Sequence, residues 1–272
     1  MGKVLTRLVL GVMWVVWLVP VYLLLVNSIR STGEYATAST WSLPHHFALF
    51  TNFKKAYDTA GLGDSLYSTF LYAVLGPAFA VLIGALAGFS IIALRLRRGF
   101  LWFILIFGGS IFPIQMLIIP LFVGYADANL YDHRLGMVLI YTAVSVPLAA
   151  FIMRNFFTGI SYSIYEAAVM DGASAWRIFY RIYLPLATTA LAAIFILEFT
   201  FTWNDLLFGL TLSQTSDVRP VMTALAALLS AYAGTTYNVV LAAMLIVSLP
   251  TMAVFLCAQR LFARGLSLGQ TN

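Results

Sequence analysis

Five long stretches without a charged residue constrain the fold of this chain more than any other feature. They cover residues 8–29, 65–94, 99–126, 135–153 and 220–259, and four of them exceed 20 residues. A helix that crosses the roughly 30 Å hydrocarbon core of a bilayer needs about 20 mostly apolar residues. Only 9% of the residues are charged, whereas soluble domains average about 25%. The pattern predicts an all-α membrane protein and excludes an ordinary soluble enzyme.

We predict six transmembrane helices, at about residues 5–29, 65–94, 100–124, 135–157, 186–212 and 237–262. The fifth span is interrupted by Glu198 and Asp205, but both of its flanks are apolar. The chain shows no linker and no internal repeat, so residues 1–272 form one predicted transmembrane domain, with a hydrophilic segment at 158–185 between spans four and five.

The positions of the basic residues predict the orientation, because cytoplasmic loops of membrane proteins carry an excess of Lys and Arg. With the N-terminus inside, ten of the fifteen basic residues lie on the cytoplasmic side. They are Lys3, Arg7, Arg95, Arg97, Arg98, Arg154, Arg177, Arg181, Arg260 and Arg264. Both termini, and the segment 158–185, are therefore predicted to be cytoplasmic.

Two short helices are predicted within this cytoplasmic segment. Ser163 and Glu166 have the spacing of a capping box, which starts a helix, and Gly172 can take the left-handed conformation that ends one. Ser174 can cap a second helix. Four aromatic residues of that helix are predicted to anchor it at the membrane surface: Trp176, Phe179, Tyr180 and Tyr183. A helical hairpin without any partner is the alternative interpretation of this segment.

The spacing of seven residues in this segment resembles the cytoplasmic signature of permease subunits of ATP-binding-cassette importers. That signature is Glu-Ala-Ala, three residues, Gly, nine residues, Ile, one residue, Leu-Pro. The matching positions here are Glu166, Ala167, Ala168, Gly172, Ile182, Leu184 and Pro185. The resemblance implies the type I architecture of these importers, in which Glu166, Ala167, Ala168, Asp171 and Gly172 dock on a separate ATPase.

Other stretches are similar to the carbohydrate branch of the family, specifically the smaller permease of maltose-type systems. They are Leu43-Pro44, Asn52-Phe53, Asp171-Gly172-Ala173, Trp203-Asn204-Asp205 and the tail from Gln259 to Leu266. The likeness implies a sugar importer of the bacterial inner membrane with a second permease, two ATPase subunits and an extracytoplasmic sugar-binding protein. ATP and Mg would be bound by the ATPase, and this chain, which has no Walker-type phosphate loop, would have no catalytic residue and no cofactor.

Polar residues in span five are the candidates for the translocation path. Glu198 and Asp205 are seven residues apart, which on one helix places both on the same face with Thr202 near them. Ionisable groups at membrane depth normally face a bundle interior or a wet cavity. Trp203, Asn204 and Phe208 would add an amide and aromatic faces suited to a sugar. The same two carboxylates could instead bond neighbouring helices.

Two further functions remain open at this point. An ion-coupled secondary transporter would use Glu198 or Asp205 as its proton carrier. A membrane-embedded enzyme would use the two carboxylates, but the spans contain no nucleophile with a nearby base. His45 and His46 are adjacent in the first outer loop, and without a third ligand they predict a solvated loop and no metal site.

Overall fold

The described secondary structure is helical throughout. The computed structural model describes residues 2–229 and 236–268, and in the last helix it describes side chains up to Cys257 and at Gln259. Helix α1 spans Gly2–Ile29, α2 spans Thr32–Thr37, α3 spans Leu49–Ala60 and α4 spans Leu62–Ile92. Gly61 has a φ of 59°, so it ends α3 and begins α4 without any linker. The predicted outer loop is therefore largely helical.

The predicted third span is divided into separate pieces. Helix α5 spans Gly99–Gly108, a 3₁₀ turn covers Ile114–Leu117, and α6 spans Ile118–Asp127. Pro113 stands immediately before the turn, where it supplies no N–H group and disfavours a helical conformation of the residue before it. The continuous helix predicted for residues 100–124 is therefore interrupted near its middle. Helix α7 follows at Arg134–Thr158.

The second half of the chain is also more broken than the sequence predicts. Helix α8 spans Tyr162–Met170 and α9 spans Ala175–Ile178, before a π-helical turn at Phe179–Tyr183. Helix α10 spans Leu184–Leu186, α11 Thr188–Trp203, α12 Leu207–Leu212, α13 Val221–Leu228 and α14 Tyr237–Leu268. The axis bends by 75° between Ala175–Leu186 and Thr188–Trp203. The predicted span 186–212 is thus two helices, separated at residues 204–206.

Four of the described helices are long and apolar enough to cross a membrane without interruption. They are α1, α4, α7 and the part of α14 from Tyr237 to Cys257. The bent pair that ends in α11 makes five if it counts as one span, while α5 and the helical segment Ile114–Asp127 are shorter. The described part of the chain is therefore a helical membrane protein with four or five apolar spans.

Glycines allow α4 and α7 to pack closely along most of their lengths. A Cβ atom on Gly84 would lie 2.7 Å from Cβ of Ala149, and one on Gly88 would lie 2.9 Å from the backbone nitrogen of Arg154. Small residues four positions apart let helix backbones approach one another in membranes, where van der Waals packing stabilises the contact. These glycines therefore place α7 directly against α4, at the centre of the bundle.

A buried polar cluster lies at the C-terminal end of α1. Arg30 is fully buried, and its guanidinium donates to Oδ1 of Asn27 at 3.0 Å and to Oγ of Ser42 at 2.8 Å. The Arg30 carbonyl accepts from Nδ2 of Asn52 at 2.7 Å and from Nδ2 of Asn238 at 3.1 Å. Most of α1 on the N-terminal side of Val26 is exposed. The first helix is therefore joined by polar contacts to α3 and α14 at its C-terminal end.

Candidate functional site

The first helix of the predicted cytoplasmic segment begins two residues earlier than predicted. Ser161 is the N-cap of α8, and Ser163 lies inside the first turn with its Oγ 2.8 Å from Oγ of Ser161. The predicted capping box of Ser163 and Glu166 is therefore wrong. In the first turn of the helix the ring of Tyr162 stacks on that of Tyr165, at 5.5 Å between centroids.

The end of α8 is formed as predicted. Gly172 has a φ of 75°, its N–H donates to the Val169 carbonyl at 2.9 Å, and the Ala173 N–H donates to the Ala168 carbonyl at 3.0 Å. This pair of bonds is a Schellman motif, which closes the free carbonyls of a helix end. The hydroxyl of Ser174 then accepts from the Arg177 N–H at 3.4 Å and caps α9. The segment is a tight helix–turn–helix.

One face of this segment packs on the bundle and the other face is exposed. Ala168 is buried in a cluster that includes Phe157 and Ile178, whereas Glu166 and Asp171 are exposed. Ala167 and Gly172 are also exposed. Four large apolar side chains of the segment are exposed: Ile164, Val169, Met170 and Trp176. Met170 is 86% exposed. We call residues 162–176 the knob.

Two of the predicted surface aromatics belong to the core. Phe179 and Tyr183 are 3% and 1% exposed, and both rings pack against Phe89 of α4, at 5.2 and 4.9 Å between centroids. Phe179 and Tyr183 are the first and last residues of the π turn, and both are buried there. Trp176 and Tyr180 are exposed, as the sequence predicts. The prediction for Phe179 and Tyr183 is therefore wrong.

Arg95 is a contact of the knob that the sequence alone did not reveal. Its guanidinium carbon lies 3.6 Å from the ring centroid of Tyr162, the first residue of α8. Arg95 has a φ of 49° in the tight turn between α4 and α5. Tyr165 also packs against Phe89, at 6.4 Å between centroids. The knob is thus held against the end of α4 as well as that of α7.

In span five, both carboxylates bond to α7. Oγ of Ser145 donates to Oε2 of Glu198 at 2.6 Å, and the hydroxyl of Tyr141 donates to Oδ2 of Asp205 at 2.9 Å. Asp205 also accepts from the backbone N–H groups of Phe208 and Gly209 at the start of α12, at 3.1 and 3.3 Å. Because α11 ends at Trp203, the two acids do not share one continuous helix. The prediction from their spacing, which placed both on one helix, is therefore wrong.

The other predicted path residues divide into buried and exposed sets. Trp203 donates from Nε1 to the Val247 carbonyl at 3.1 Å, and Phe208 packs edge-on against Tyr141 at 5.9 Å. Thr202 is also buried. Asn204 is exposed, and its Nδ2 donates to the Thr200 carbonyl at 2.8 Å. Of the six residues, only Asn204 and the half-buried Asp205 reach the surface of the chain.

A groove of about 650 Å³ lies between the break in span three and α7. Ser110, Phe112 and Ile114 line one side, Val144 and Pro147 the other, and Phe201 of α11 closes it. Residues 109–113 are exposed, and the carbonyls of Ser110 and Ile111 accept no hydrogen bond within the described residues. Irregular backbone at membrane depth occurs where it is covered by protein or lines a water-filled cavity. Sequence reasoning missed this break, although Pro113 signals it.

The adjacent histidines lie beside an acidic residue. The Glu34 carboxylate accepts from the backbone N–H groups of His45 and His46, at 2.6 and 3.2 Å. The bond from His45 is the main cause that lowers the pKa of Glu34 below its usual value. Among the residues that the structure describes, no three His, Cys, Asp or Glu side chains are grouped to hold a metal ion.

Part of the predicted outer loop at 213–236, and the chain end at 269–272, lie outside the described residues. The described part of that loop is held by neighbouring helices. Oδ1 of Asp132 accepts from the Gln214 N–H at 2.8 Å, and the Tyr72 hydroxyl donates to the Val218 carbonyl at 2.8 Å. The beginning of the loop is therefore fixed on α4 and on the turn before α7.

Several curated permeases are similar to the chain over most of its length. The diacetylchitobiose uptake system permease protein of Streptomyces coelicolor is 30% identical over 260 residues, which cover 95% of this chain and 85% of that protein. The melibiose/raffinose/stachyose import permease protein of Bacillus subtilis is 30% identical over 252 residues, with 92% and 90% covered. The sn-glycerol-3-phosphate transport system permease protein of Yersinia enterocolitica is 32% identical over 210 residues, with 77% and 74% covered.

A solved structure has the same fold. A chain in the crystal structure of a bacterial transporter involved in the import of the acidic polysaccharide alginate superposes with a TM-score of 0.83, at 23% identity and with 95% of both chains covered. Residues 80–268 match the family model described as the binding-protein-dependent transport system inner membrane component. The chain therefore belongs to this inner-membrane family, and it is a permease subunit of an ATP-binding-cassette importer.

Proposed function

We propose that this chain is one half of the translocation pathway of a sugar importer and that the knob couples it to a separate ATPase. One observation carries the proposal: a short helix with exposed apolar side chains is held rigidly on the bundle. Met170 and Val169 project from it, while Ala168 is buried beneath them. Exposed apolar side chains grouped on a small projection mark a surface for another protein. The docking residues are Glu166, Ala167, Ala168, Asp171 and Gly172. Of these, Ala168 contributes indirectly, because its side chain packs the helix against the bundle.

The proposed topology has six spans, with both termini and the knob in the cytoplasm. The broken segment from α5 to α6 supplies span three, and α11 with α12 supplies span five. This arrangement is supported by the distribution of basic residues, since Arg95, Arg154 and Arg177 then lie on the same side as the knob. It makes residues 1–272 one transmembrane domain with a coupling segment at 158–185.

The proposed path lies along the two helix breaks. Each of the two parts of span three contains ten residues, or about 15 Å, so the break is near the middle of the membrane. Discontinuous helices of transporters commonly form substrate sites at this depth. Asn204 and Asp205 lie at the break in span five, and they offer polar groups at the surface of the chain. Glu198, Thr202, Trp203 and Phe208 support this surface from the interior.

The proposed substrate is a short oligosaccharide, since two of the relatives described above are named for such sugars. The proposed partners are a different second permease, two ATPase subunits that bind ATP and Mg, and a soluble extracytoplasmic sugar-binding protein. The exposed surface near Phe201 and Asn204 faces the second permease across the path. These partners supply the energy and the substrate capture, and this chain supplies the passage.

The test is reconstitution of the chain with these partners in proteoliposomes, with labelled raffinose and diacetylchitobiose as probes. We expect ATP-dependent uptake of at least one of them, abolished by Met170→Glu because the new charge would be buried in the docking contact. The matched control is Thr37→Glu, which adds the same charge to exposed α2 on the opposite side and is expected to leave uptake unchanged. Uptake by this chain alone, driven by a proton gradient, would contradict the proposal.

A further inference from the structure

Two side-chain hydrogen bonds connect α7 to the fifth span at successive turns of α7. Tyr141 and Ser145 are four residues apart and therefore lie on the same face of that helix. They donate to Asp205 at 2.9 Å and to Glu198 at 2.6 Å. We call the Ser145–Glu198 and Tyr141–Asp205 pairs the two rungs.

Both rungs are held in place by their surroundings. Tyr141 is fully buried, and its ring lies 5.9 Å from that of Tyr72 and 5.9 Å from that of Phe208. Ser145 and Glu198 are 1% and 4% exposed. The Ser145–Glu198 rung is therefore buried within this chain, whereas Asn204 is exposed.

The Ser145–Glu198 rung connects α7 to α11, the two helices between which the knob is inserted, and the Tyr141–Asp205 rung connects α7 to the residues between α11 and α12. The knob follows the last residue of α7, Thr158, and it leads through the 75° bend into α11. A displacement of the knob therefore acts on both helices at once. If α7 and α11 slid independently, part of that displacement would be lost within the chain. Polar side chains bonded across helices in a membrane oppose such sliding.

We propose that Ser145, Glu198, Tyr141 and Asp205 are positioning residues that make spans four and five move as one unit. The inference rests on the proposed coupling role of the knob. In this arrangement Glu198 is a hydrogen-bond acceptor within the chain, and it neither binds the sugar nor carries a proton. Asp205 joins α7 to the start of α12 while its exposed side borders the path.

The first experiment tests whether Glu198 is a hydrogen-bond acceptor within the chain, a contact of the sugar or a proton carrier. The full complex is reconstituted, and ATP-driven uptake is compared for Ser145→Ala, Glu198→Ala and Glu198→Gln. We expect both alanine variants to lower the maximal uptake rate by roughly 3- to 20-fold, the factor that an interhelical hydrogen bond in a membrane is worth, with an unchanged half-saturating sugar concentration. Glu198→Gln keeps an acceptor oxygen and is expected to restore uptake.

The pattern of the variants decides between the roles. The double variant Ser145→Ala/Glu198→Ala is expected to have the same uptake rate as either single variant, because each substitution alone already removes the same hydrogen bond. Loss of uptake in Glu198→Gln together with normal uptake in Ser145→Ala would overturn the inference. Thr142→Val is the matched control, since the Thr142 hydroxyl bonds to the Val138 carbonyl of its own helix at 2.8 Å. It is expected to behave like the parent.

The second experiment measures the motion directly, without any sugar. Spin labels replace the exposed residues Leu139 of α7 and Leu197 of α11, in a background with Cys257→Ser. In the assembled complex with both rungs present, addition of ATP and vanadate is expected to leave the distribution of distances between the labels unchanged. In Glu198→Ala, the same addition is expected to broaden or shift that distribution. A nucleotide-dependent change with both rungs present would overturn the inference. Loss of ATP-dependent uptake by the parent complex would instead contradict the proposed function.

Discussion

At the scale of single residues, burial assigns different roles to neighbours that look alike in sequence. Ala167 and Ala168 are consecutive in the signature, yet Ala167 is exposed and Ala168 is packed against the bundle. Trp203 and Asn204 are also consecutive, and only Asn204 is exposed. A sequence motif therefore combines residues that contact a partner with residues that hold the contact surface in place.

Replacement of Gly172 tests how much the shape of the knob matters. A Cβ atom there would meet nothing within 4 Å, so the penalty comes from the φ of 75° alone. A left-handed conformation is unfavourable for a residue with a Cβ by about 1–2 kcal/mol. We expect Gly172→Val to weaken copurification of the ATPase subunit and to lower uptake while the amount of membrane-inserted chain stays normal. Gly159→Ala is the control, because Gly159 has a φ of −78°.

The contact between Arg95 and Tyr162 is the second test at this scale. A cation over an aromatic face is worth about 0.5–1 kcal/mol at an exposed site. We expect Arg95→Gln to increase hydrogen exchange of the backbone amides in α8 by a few-fold, and Arg97→Gln, in the same exposed turn, to have no effect. Equal hydrogen exchange in both variants would show that Arg95 does not stabilise the knob against the bundle.

At the scale of helices, the sequence predicts well those features that depend only on residues near one another in the chain. The apolar runs give α1, α4, α7 and α14, because the length needed to cross a bilayer can be counted along the chain. The end of the knob is also local, and Gly172 predicts it correctly. The breaks at 109–113 and 204–206 were missed because hydropathy reports how apolar a segment is and not whether its backbone stays helical. The start of α8 was missed because Ser161 and Ser163 are both residues that favour an N-cap, and the observed N-cap is Ser161.

The glycine contacts of α4 give a prediction about a helix pair. Gly84→Leu would force a side chain into the backbone of α7 at Ala149, and overpacking of this kind destabilises a core by about 1–3 kcal/mol. We expect a lower midpoint of thermal unfolding in detergent and less assembled complex. Gly11→Leu is the matched control, since a Cβ at Gly11 of α1 meets nothing within 4 Å.

At the scale of the whole molecule, the pairing of distant helices could not be derived from the sequence. Glu198 and Asp205 were predicted to share one face towards the path, with bonds to neighbouring helices as the alternative. The structure shows that alternative contact, since α7 supplies both donors. Periodicity identifies which face of a helix is polar, but it does not say which neighbour that face meets.

The proposed topology predicts which residues are reachable from each side of the membrane. In intact inverted and right-side-out vesicles, with Cys257→Ser, a membrane-impermeant maleimide is expected to label Thr37→Cys only from the outside and Met170→Cys only from the inside. Both positions are exposed in the isolated chain. Labelling of both from the same side would contradict the six-span arrangement.

The polar cluster around Arg30 has a consequence for biogenesis. Asn238 bonds to the Arg30 carbonyl from 208 positions further along the chain. During synthesis Ser42 and Asn52 are available to this cluster early, whereas the bond from Asn238 forms only after residue 238 has been translated. A chain that stops short of residue 238 would therefore keep the bond between the Arg30 carbonyl and Asn52 of α3 and lack the one to Asn238 of α14.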